Sequence, residues 1–240
     1  MERQMKKLEE YTGLSYSSSV ITDGRIILAD EDISEVARDD LKRLKTKNGQ
    51  ELVFLEGEQL TVDLERALGN VTQKEENILF VFPGNGSNYP RRLSRICREY
   101  REVTSVIAKR ICEPGADPVV TVDVILPKMF LVMGVKTVVV VDDVISSGLT
   151  MHKLYQRNAW RFPQAKWLGM AWVAQIPQAK AKSGVNGYSS VYASCLVGKT
   201  NGQRAPVNSI STLRKDPEIA SSYANKHFSD PNAFLHHISR

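Results

Sequence analysis

The sequence predicts an α/β fold: a mostly parallel sheet flanked by helices, with a small α+β lobe before it and a further segment after it. Residues 137–141 are five consecutive β-branched residues, which indicate a strand covered on both faces. Strand patterns alternate with helical patterns between about residues 78 and 200, as the crossovers between parallel strands require. We predict an N-terminal lobe over 1–72, a core over 73–200 and a C-terminal lobe over 201–240.

The composition fits such a protein. Of 240 residues, 42% are hydrophobic, which is enough for a continuous core, and no apolar run approaches the length of a membrane span. We expect a cytoplasmic protein without a membrane partner, and three reduced cysteines, because these form no C-x-x-C pair. The basic residues behind the net charge of +5 are dispersed, which favours a solvated surface over a nucleic-acid interface.

In the N-terminal lobe, residues 18–29 predict a hairpin, because Asp23-Gly24 suits a two-residue turn between strands. A helix should follow it, with Asp32 and Glu35 as a capping box. The other elements predicted in this lobe are a strand over 51–55 and a short helix over 62–68 that Gly69 ends.

In the core, apolar runs predict the strands and periodic apolar stripes predict the helices. The strands are expected over 78–82, 103–111, 137–141, 167–176 and 189–197, and the helices from about 89, over 127–133 and over 151–162. In the C-terminal lobe, Asp216-Pro217 should begin a helix that reaches about residue 228.

Two acids, Asp142 and Asp143, stand where the central strand is predicted to end. Neighbouring side chains on a strand alternate, so one carboxylate should face a ligand cleft and the other the sheet or a neighbouring loop. A hydroxyl-rich turn with Gly148 and a helical pattern follow, an order that is typical of phosphate sites beyond parallel strands. A surface Asp-Asp turn is the alternative, and this order of elements argues against it.

Residues 138–150 read VVVVDDVISSGLT, which resembles the phosphoribosyl pyrophosphate (PRPP) signature of the type I phosphoribosyltransferases. The resemblance implies that Asp142 and Asp143 hold the ribose hydroxyls of PRPP. It also implies that the 5′-phosphate is held by Ser146, Ser147, Gly148, Leu149 and Thr150. Beyond the motif, the likeness extends to the layout of residues 78–200.

Two further segments match the layout of that family. Its pyrophosphate loop lies between a strand and a helix, where this chain has Gly84, Asn85, Gly86 and Ser87. Lys109 and Arg110 precede the loop 112–123, where the family carries a basic residue against pyrophosphate and then a mobile catalytic loop. Two solvated charges at a strand end are the alternative for this pair. With the acid pair, Lys109 completes the catalytic set that the resemblance implies.

The activity implied is transfer of the 5-phosphoribosyl group from PRPP to a nitrogenous base, with release of pyrophosphate, in nucleotide salvage or synthesis. Mg²⁺ held largely by PRPP would neutralise the leaving group, so no side-chain metal site is predicted. A homodimer is also implied, with a hood, the lobe that covers the site, formed by either end of the chain.

One position departs from the members that act on 6-oxopurines. They carry an acid two residues before the glycine of the motif, where this chain has Ser146, which disfavours hypoxanthine and guanine as acceptors. Two other functions stay open. A regulator could keep the PRPP site as a sensor without catalysis, and a PRPP synthetase would need a duplicated domain, which the sequence does not show.

Overall fold

The computed structural model describes residues 19–21, 25–30, 33–83, 102–106, 108–111, 119–122, 126, 134–146, 148–175, 187–197, 199–200, 203–204 and 206–239. The strands in these ranges are β1 (Ser19–Ile21), β2 (Ile26–Asp30), β3 (Leu52–Glu56), β4 (Ile78–Pro83), β5 (Glu102–Val106), β6 (Ala108–Ile111), β7 (Val119–Val122), β8 (Thr137–Ile145), β9 (Lys166–Gln175), β10 (Ser190–Val197), β11 (Lys199–Thr200), β12 (Gln203–Arg204) and β13 (Val207–Ser209). The helices are α1 (Glu35–Arg43), α2 (Gly57–Lys74), α3 (Leu149–Asn158), α4 (Ile210–Lys215), α5 (Pro217–His227) and α6 (Pro231–Ile238). None of these helices combines the length and the apolar character that crossing a membrane requires.

The main sheet has the strand order β1-β10-β9-β8-β4-β5, and all of its pairings are parallel. β8 is central, between β4 and β9. It is buried on both faces, because Val138 and Val140 belong to one core cluster while Val139 and Val141 belong to another. The predicted α/β class and the predicted central strand are confirmed.

The chain runs outward from the middle of this sheet in both directions. From β4 it continues to the edge strand β5, and from β8 it continues through β9 to β10 on the other side. β4 and β8 are therefore the neighbouring strands at which the strand order reverses. In open α/β sheets, ligands bind in the crevice outside the carboxyl ends of the strands at such a switch point.

A second parallel sheet, with the order β13-β2-β3, joins the two ends of the chain. One of its faces is covered by α1, α4, α5 and α6, in a cluster where the rings of Phe228 and Phe234 stack 4.2 Å apart. The other face adds Ile27 and Ala29 of β2 to a core cluster of the main sheet. The predicted N-terminal and C-terminal lobes thus share a sheet and a core, and we call residues 25–56 and 206–239 the end subdomain.

α2 packs against the main sheet. The side chain of Trp172 in β9 donates from Nε1 to Thr61 Oγ1 at 3.1 Å, and Ser194 Oγ in β10 donates to the carbonyl of Leu60 at 2.8 Å. Near its other end, Glu75 accepts hydrogen bonds from the first residues of β8 and β9. These polar contacts fix both ends of α2 on the sheet, in addition to its apolar stripe.

Three predictions for the N-terminal lobe are wrong. β1 pairs with β10 and β2 pairs with β3 and β13, so residues 18–29 form no hairpin, because each strand finds its partners in a different sheet. The N-cap of α1 is Ser34, whose side chain accepts the N–H of Ala37 at 3.2 Å, in place of Asp32. α2 continues through Gly69, because burial of its apolar face outweighs the cost of about 1 kcal/mol for a helical glycine.

Elsewhere, most predicted elements are found with shifted ends. The strand predicted over 103–111 is divided into β5 and β6, and β7 lies inside the predicted loop 112–123. The helix predicted over 151–162 is α3, followed by the 3-10 turn Ala159–Arg161. α5 begins after Asp216, as predicted, and the side chain of Asp216 accepts the N–H of Ile219 as its N-cap. The helices predicted from 89 and over 127–133 lie outside the described residues.

We expect acid to destabilise the end subdomain through His227, the last residue of α5. Its pKa is lowered from 6.5 to about 4, first by burial and then by the positive charges of Lys226 and Lys47. Since the folded state favours the neutral ring, the unfolded chain binds more protons between these two pH values. The free energy of unfolding should therefore fall as the pH drops from about 6.5 to about 4.

Urea unfolding at about pH 7 and about pH 4.5 measures this effect in the wild type and in His227→Gln. The variant should lose less stability between the two pH values than the wild type. His236→Gln, at an exposed position of α6, is the control and should behave as the wild type. A pH dependence that is equally steep in His227→Gln would contradict the assignment.

Candidate ligand site at the carboxyl edge of the main sheet

A small, open cleft lies at the carboxyl end of β8, at the switch point of the main sheet. It is formed by the end of β8, the turn that follows and the first turn of α3. Its lining residues are Asp142, Val144, Ile145, Ser146, Gly148, Leu149, Thr150 and Met151. The structure therefore brings together the predicted ribose-binding acid Asp142 and most of the predicted phosphate-binding residues, while Ser147 lies outside the described residues.

The N-terminus of α3 opens onto this cleft. Its N-cap is Gly148, whose φ of 71° lies in the left-handed region that favours glycine. The carbonyl of Gly148 accepts the N–H of His152 at 2.9 Å. The first turn of α3 holds no acidic residue that would offset the partial positive charge of the helix N-terminus. Together with the hydroxyls of Ser146 and Thr150, this arrangement suits an anion such as a phosphate.

The two acids point in different directions. Asp142 is one of the residues that line the cleft, and its carboxylate accepts the backbone N–H of Asp143 at 2.9 Å. The carboxylate of Asp143 accepts hydrogen bonds from Ser209 Oγ and, at 2.6 Å, from Thr212 Oγ1, and its other oxygen accepts the N–H of Val144. One acid of the pair, Asp143, is thus turned toward a neighbouring segment, the junction where β13 meets α4 in the end subdomain.

The prediction that the central strand ends before the acids is wrong. β8 continues to Ile145, because β9 pairs with it as far as Ala174. On the other side, β4 pairs with β8 only as far as Val140. Both acids therefore lie beyond the last residue of β8 that pairs with β4.

An aromatic group supports the first turn of α3. The hydroxyl of Tyr188 donates to the carbonyl of Met151 at 3.1 Å. The side chain of Met151 packs on Gly169 of β9, where an added Cβ would lie 3.1 Å from its sulfur atom. Burial and then the negative charge of Asp142 raise the pKa of Tyr188 well above 10, so that its hydroxyl remains a donor. Tyr188 and Gly169 thus set the height of the first turn of α3 above the sheet.

Sequence reasoning missed Tyr188, Gly169, Ser209 and Thr212 as contributors to the site. A local signal existed for Ser209, which precedes a short helical pattern and is the N-cap of α4. No local pattern indicates which acid this serine contacts, because the two residues are 66 positions apart.

The predicted cations Lys109 and Arg110 belong to β6, which forms an antiparallel ribbon with β7 and places Lys109 opposite Thr121. β7 lies against α3. At the end of α3, Asn158 Oδ1 accepts the backbone N–H of Leu126 at 2.7 Å, which ties the segment after β7 to this helix. The ribbon that carries the two cations therefore runs beside the helix whose N-terminus lines the cleft.

The predicted pyrophosphate loop lies outside the described residues. Its members, Gly84, Asn85, Gly86 and Ser87, follow directly in the chain after β4, the neighbour of β8 at the switch point.

No protein-family model and no curated protein sequence matches the chain. Similar solved structures include a hypoxanthine phosphoribosyltransferase from Staphylococcus aureus, with a TM-score of 0.45 and 11% identity over 70% of this chain and 84% of that one. A purine phosphoribosyltransferase from Pyrococcus horikoshii has a TM-score of 0.40 and 14% identity over 65% and 91% of the two chains. An orotate phosphoribosyltransferase from Aeropyrum pernix has a TM-score of 0.35 and 19% identity over 58% of this chain and 71% of that one. Likeness at these TM-scores assigns neither an activity nor a substrate to the chain.

Replacing Gly187 by alanine should disturb the support of α3. Gly187 has a φ of 94°, and an added Cβ would lie 2.1 Å from the ring of Tyr155. That ring packs against Tyr188, with centroids 6.1 Å apart, so its displacement would reach the residue that holds the first turn of α3. Backbone strain and overpacking together should cost about 3 kcal/mol or more of the free energy of unfolding.

Gly134→Ala is the matched control. Gly134 also has a positive φ, 65°, but a Cβ there would meet no atom of the described residues within 4 Å. Only the backbone cost of about 1–2 kcal/mol should appear in this variant. Urea unfolding compares the two variants, and equal losses would show that the contact with Tyr155 contributes nothing.

Proposed function

We propose that the protein is a type I phosphoribosyltransferase, which transfers the 5-phosphoribosyl group from PRPP to a nitrogenous base and releases pyrophosphate. One observation carries the proposal: Asp142, Ser146, Gly148 and Thr150 of the signature line one cleft at the switch point of a parallel sheet. A motif in the expected strand, turn and helix setting is stronger support than the same letters alone.

In this proposal the 5′-phosphate binds at residues 146–150. The N-terminus of α3 would attract its negative charge, while Ser146 and Thr150 would donate hydrogen bonds from their hydroxyls. The ribose hydroxyls would donate to Asp142, which lines the same cleft. Charge-assisted bonds of this kind are about twice as strong as neutral ones.

The pyrophosphate would bind where the chain leaves β4 and where the β6–β7 ribbon lies beside α3. Residues 84–87 follow β4 and would supply backbone amides, and Lys109 and Arg110 would supply positive charge. We propose Lys109 as the cation that stabilises the leaving group. The ribbon's position beside α3 supports this role, since the same ligand would then span both elements.

The reaction would break the bond from the anomeric carbon to pyrophosphate and form a bond from that carbon to a ring nitrogen of the acceptor. Its transition state carries positive charge on the ribose, and the negative charge of Asp142 beside the ribose would stabilise it. The electron pair of the broken bond leaves with pyrophosphate, whose added charge Lys109 would offset. No covalent bond to the protein is required.

The residues at the cleft fit a magnesium ion that is held largely by PRPP. In the described part of the chain, no three or more His, Cys, Asp or Glu side chains group closely enough to hold a metal ion. Asp142 and the neighbouring hydroxyls are hard oxygen groups, which suit Mg²⁺ that keeps most of its contacts to substrate and water. When bound, the ion would neutralise pyrophosphate as it leaves.

Asp142→Asn should lower turnover more than it lowers PRPP affinity. The substitution keeps the shape of the side chain but removes a charge worth about 1.5–3 kcal/mol in hydrogen bonds to a ligand. Part of that loss appears only when the ribose becomes cationic. Calorimetry with PRPP and Mg²⁺ measures affinity, and pyrophosphate release with a panel of bases measures turnover.

Asp39→Asn is the matched control, because it removes the same charge from an exposed position of α1. It should leave both affinity and turnover unchanged. A wild type that binds PRPP but releases no pyrophosphate with any base would be a PRPP-sensing regulator. A wild type that binds no PRPP at millimolar concentration would contradict both functions.

Two further expectations belong to this proposal. Ser146 should make hypoxanthine and guanine poor acceptors, because a hydroxyl is a weak general base at neutral pH. The homodimer that the resemblance implies stays a prediction, which sedimentation at micromolar protein concentration tests.

A further inference from the structure

Most of the hydrogen bonds that the Asp143 carboxylate can accept come from the protein itself. One oxygen accepts from Ser209 Oγ and Thr212 Oγ1, and the other accepts the N–H of Val144 at 2.7 Å. A carboxylate offers about four acceptor sites, so about one remains. Ser209 is fully buried, so that the contact is shielded from water on the side of the end subdomain.

Ser209 joins this carboxylate to the start of α4. Its Oγ donates its single proton to Asp143 and accepts the N–H of Thr212 at 3.2 Å. Ser211 Oγ lies 3.3 Å from the same oxygen and must therefore be the donor of that pair. These hydrogen bonds run toward Asp143, whose carboxylate accepts at the end of the chain of donors.

The two faces of β8 explain why the acids reach different parts of the protein. One face, with Val140, packs against α3, and the other, with Val141, packs against α2 and β2. Asp143 contacts Ser209 and Thr212 on the second face, and Asp142 lies near Tyr188, which belongs to the core cluster of the first face. β13 lies against β8 on the side of Asp143. The end subdomain thus borders the acid pair on the side that α3 does not occupy.

We propose that Asp143 is a positioning residue that holds the junction of β13 and α4, through Ser209 and Thr212, against the edge of the ligand cleft, and that Asp142 is the acid that contacts the ribose. That the group bound by Asp142 is a ribose rests on the proposed function. An acceptor base must approach the ribose from a side that the 5′-phosphate and α3 do not occupy. The end subdomain, built from both ends of the chain, then forms the wall of the acceptor site.

The first test needs no ligand. Asp143→Asn and Thr212→Val should each raise amide hydrogen exchange in residues 206–215 by about tenfold, because each breaks the same set of contacts. The double variant should exchange no faster than the faster single variant, since the two substitutions act on one interaction. If the two substitutions raised hydrogen exchange additively in the double variant, the proposed coupling between Asp143 and Thr212 would be wrong.

Thr72→Val is the matched control. Thr72 Oγ1 donates to the carbonyl of Gly69 within α2, close to Glu75 at the amino ends of β8 and β9. The substitution removes the same hydroxyl at the edge of the sheet opposite the cleft, and it should leave exchange in residues 206–215 unchanged.

The second test separates positioning from ligand binding. Asp143→Asn and Thr212→Val should change the Kd for PRPP with Mg²⁺ by less than about threefold, whereas Asp142→Asn should raise it by about tenfold or more. In a catalytically active protein, KM for the acceptor should rise about tenfold in Asp143→Asn and Thr212→Val alike. If Asp143 only stabilised the fold elsewhere, the substitutions would not raise KM for the acceptor while leaving the Kd for PRPP nearly unchanged.

If Asp143→Asn weakens PRPP binding as much as Asp142→Asn while Thr212→Val leaves it intact, Asp143 is a ribose ligand and the inference is wrong. If Asp143→Asn does not fold, Thr212→Val and Ser209→Ala decide the question, since each removes one donor to the same oxygen. A wild type that binds no PRPP would refute the proposed function, while the exchange measurements would still decide whether Asp143 holds the turn.

Discussion

The candidate site depends on the burial of β8 on both faces. Its residues from Thr137 to Val141 are at most 1% exposed, between α3 on one side and α2 with β2 on the other. Such burial fixes the register, because a shift of one residue would exchange the faces of every side chain. The orientations of Asp142 and Asp143 follow from that register, since they are the next two residues of the same strand.

The separation of the two acids also has an electrostatic consequence. A cleft that binds phosphates would be less favourable if two carboxylates faced it, because like charges in a site of reduced dielectric repel each other. Asp143 is compensated by hydroxyl donors of the β13–α4 turn, and Asp142 is placed beside a helix N-terminus. The two acids therefore have different surroundings, and Asp143 links β8 to the end subdomain.

The end subdomain shows how short segments depend on distant partners. β2 and β13 pair in parallel although Ile27 and Val207 are far apart in the chain, and β1 pairs with β10 of the main sheet. An Asp-Gly pair between β1 and β2 favours a hairpin by local rules, yet the backbone of β1 pairs with β10, while that of β2 pairs with β3 and β13 of the other sheet. Tertiary pairing overrode the turn signal for this reason.

The sequence by itself determined the α/β class, the central strand, the alternation of the acid pair and the glycine turn before α3. These follow from local chemistry: β-branched runs favour buried strands, and a glycine suits the left-handed N-cap at Gly148. Only the tertiary structure decided that residues 25–56 and 206–239 form one subdomain, that Tyr188 supports α3 and that Ser209 and Thr212 contact Asp143. Those contacts join residues far apart in the chain, and their partners are selected by burial and by free hydrogen-bonding capacity, which no local pattern encodes.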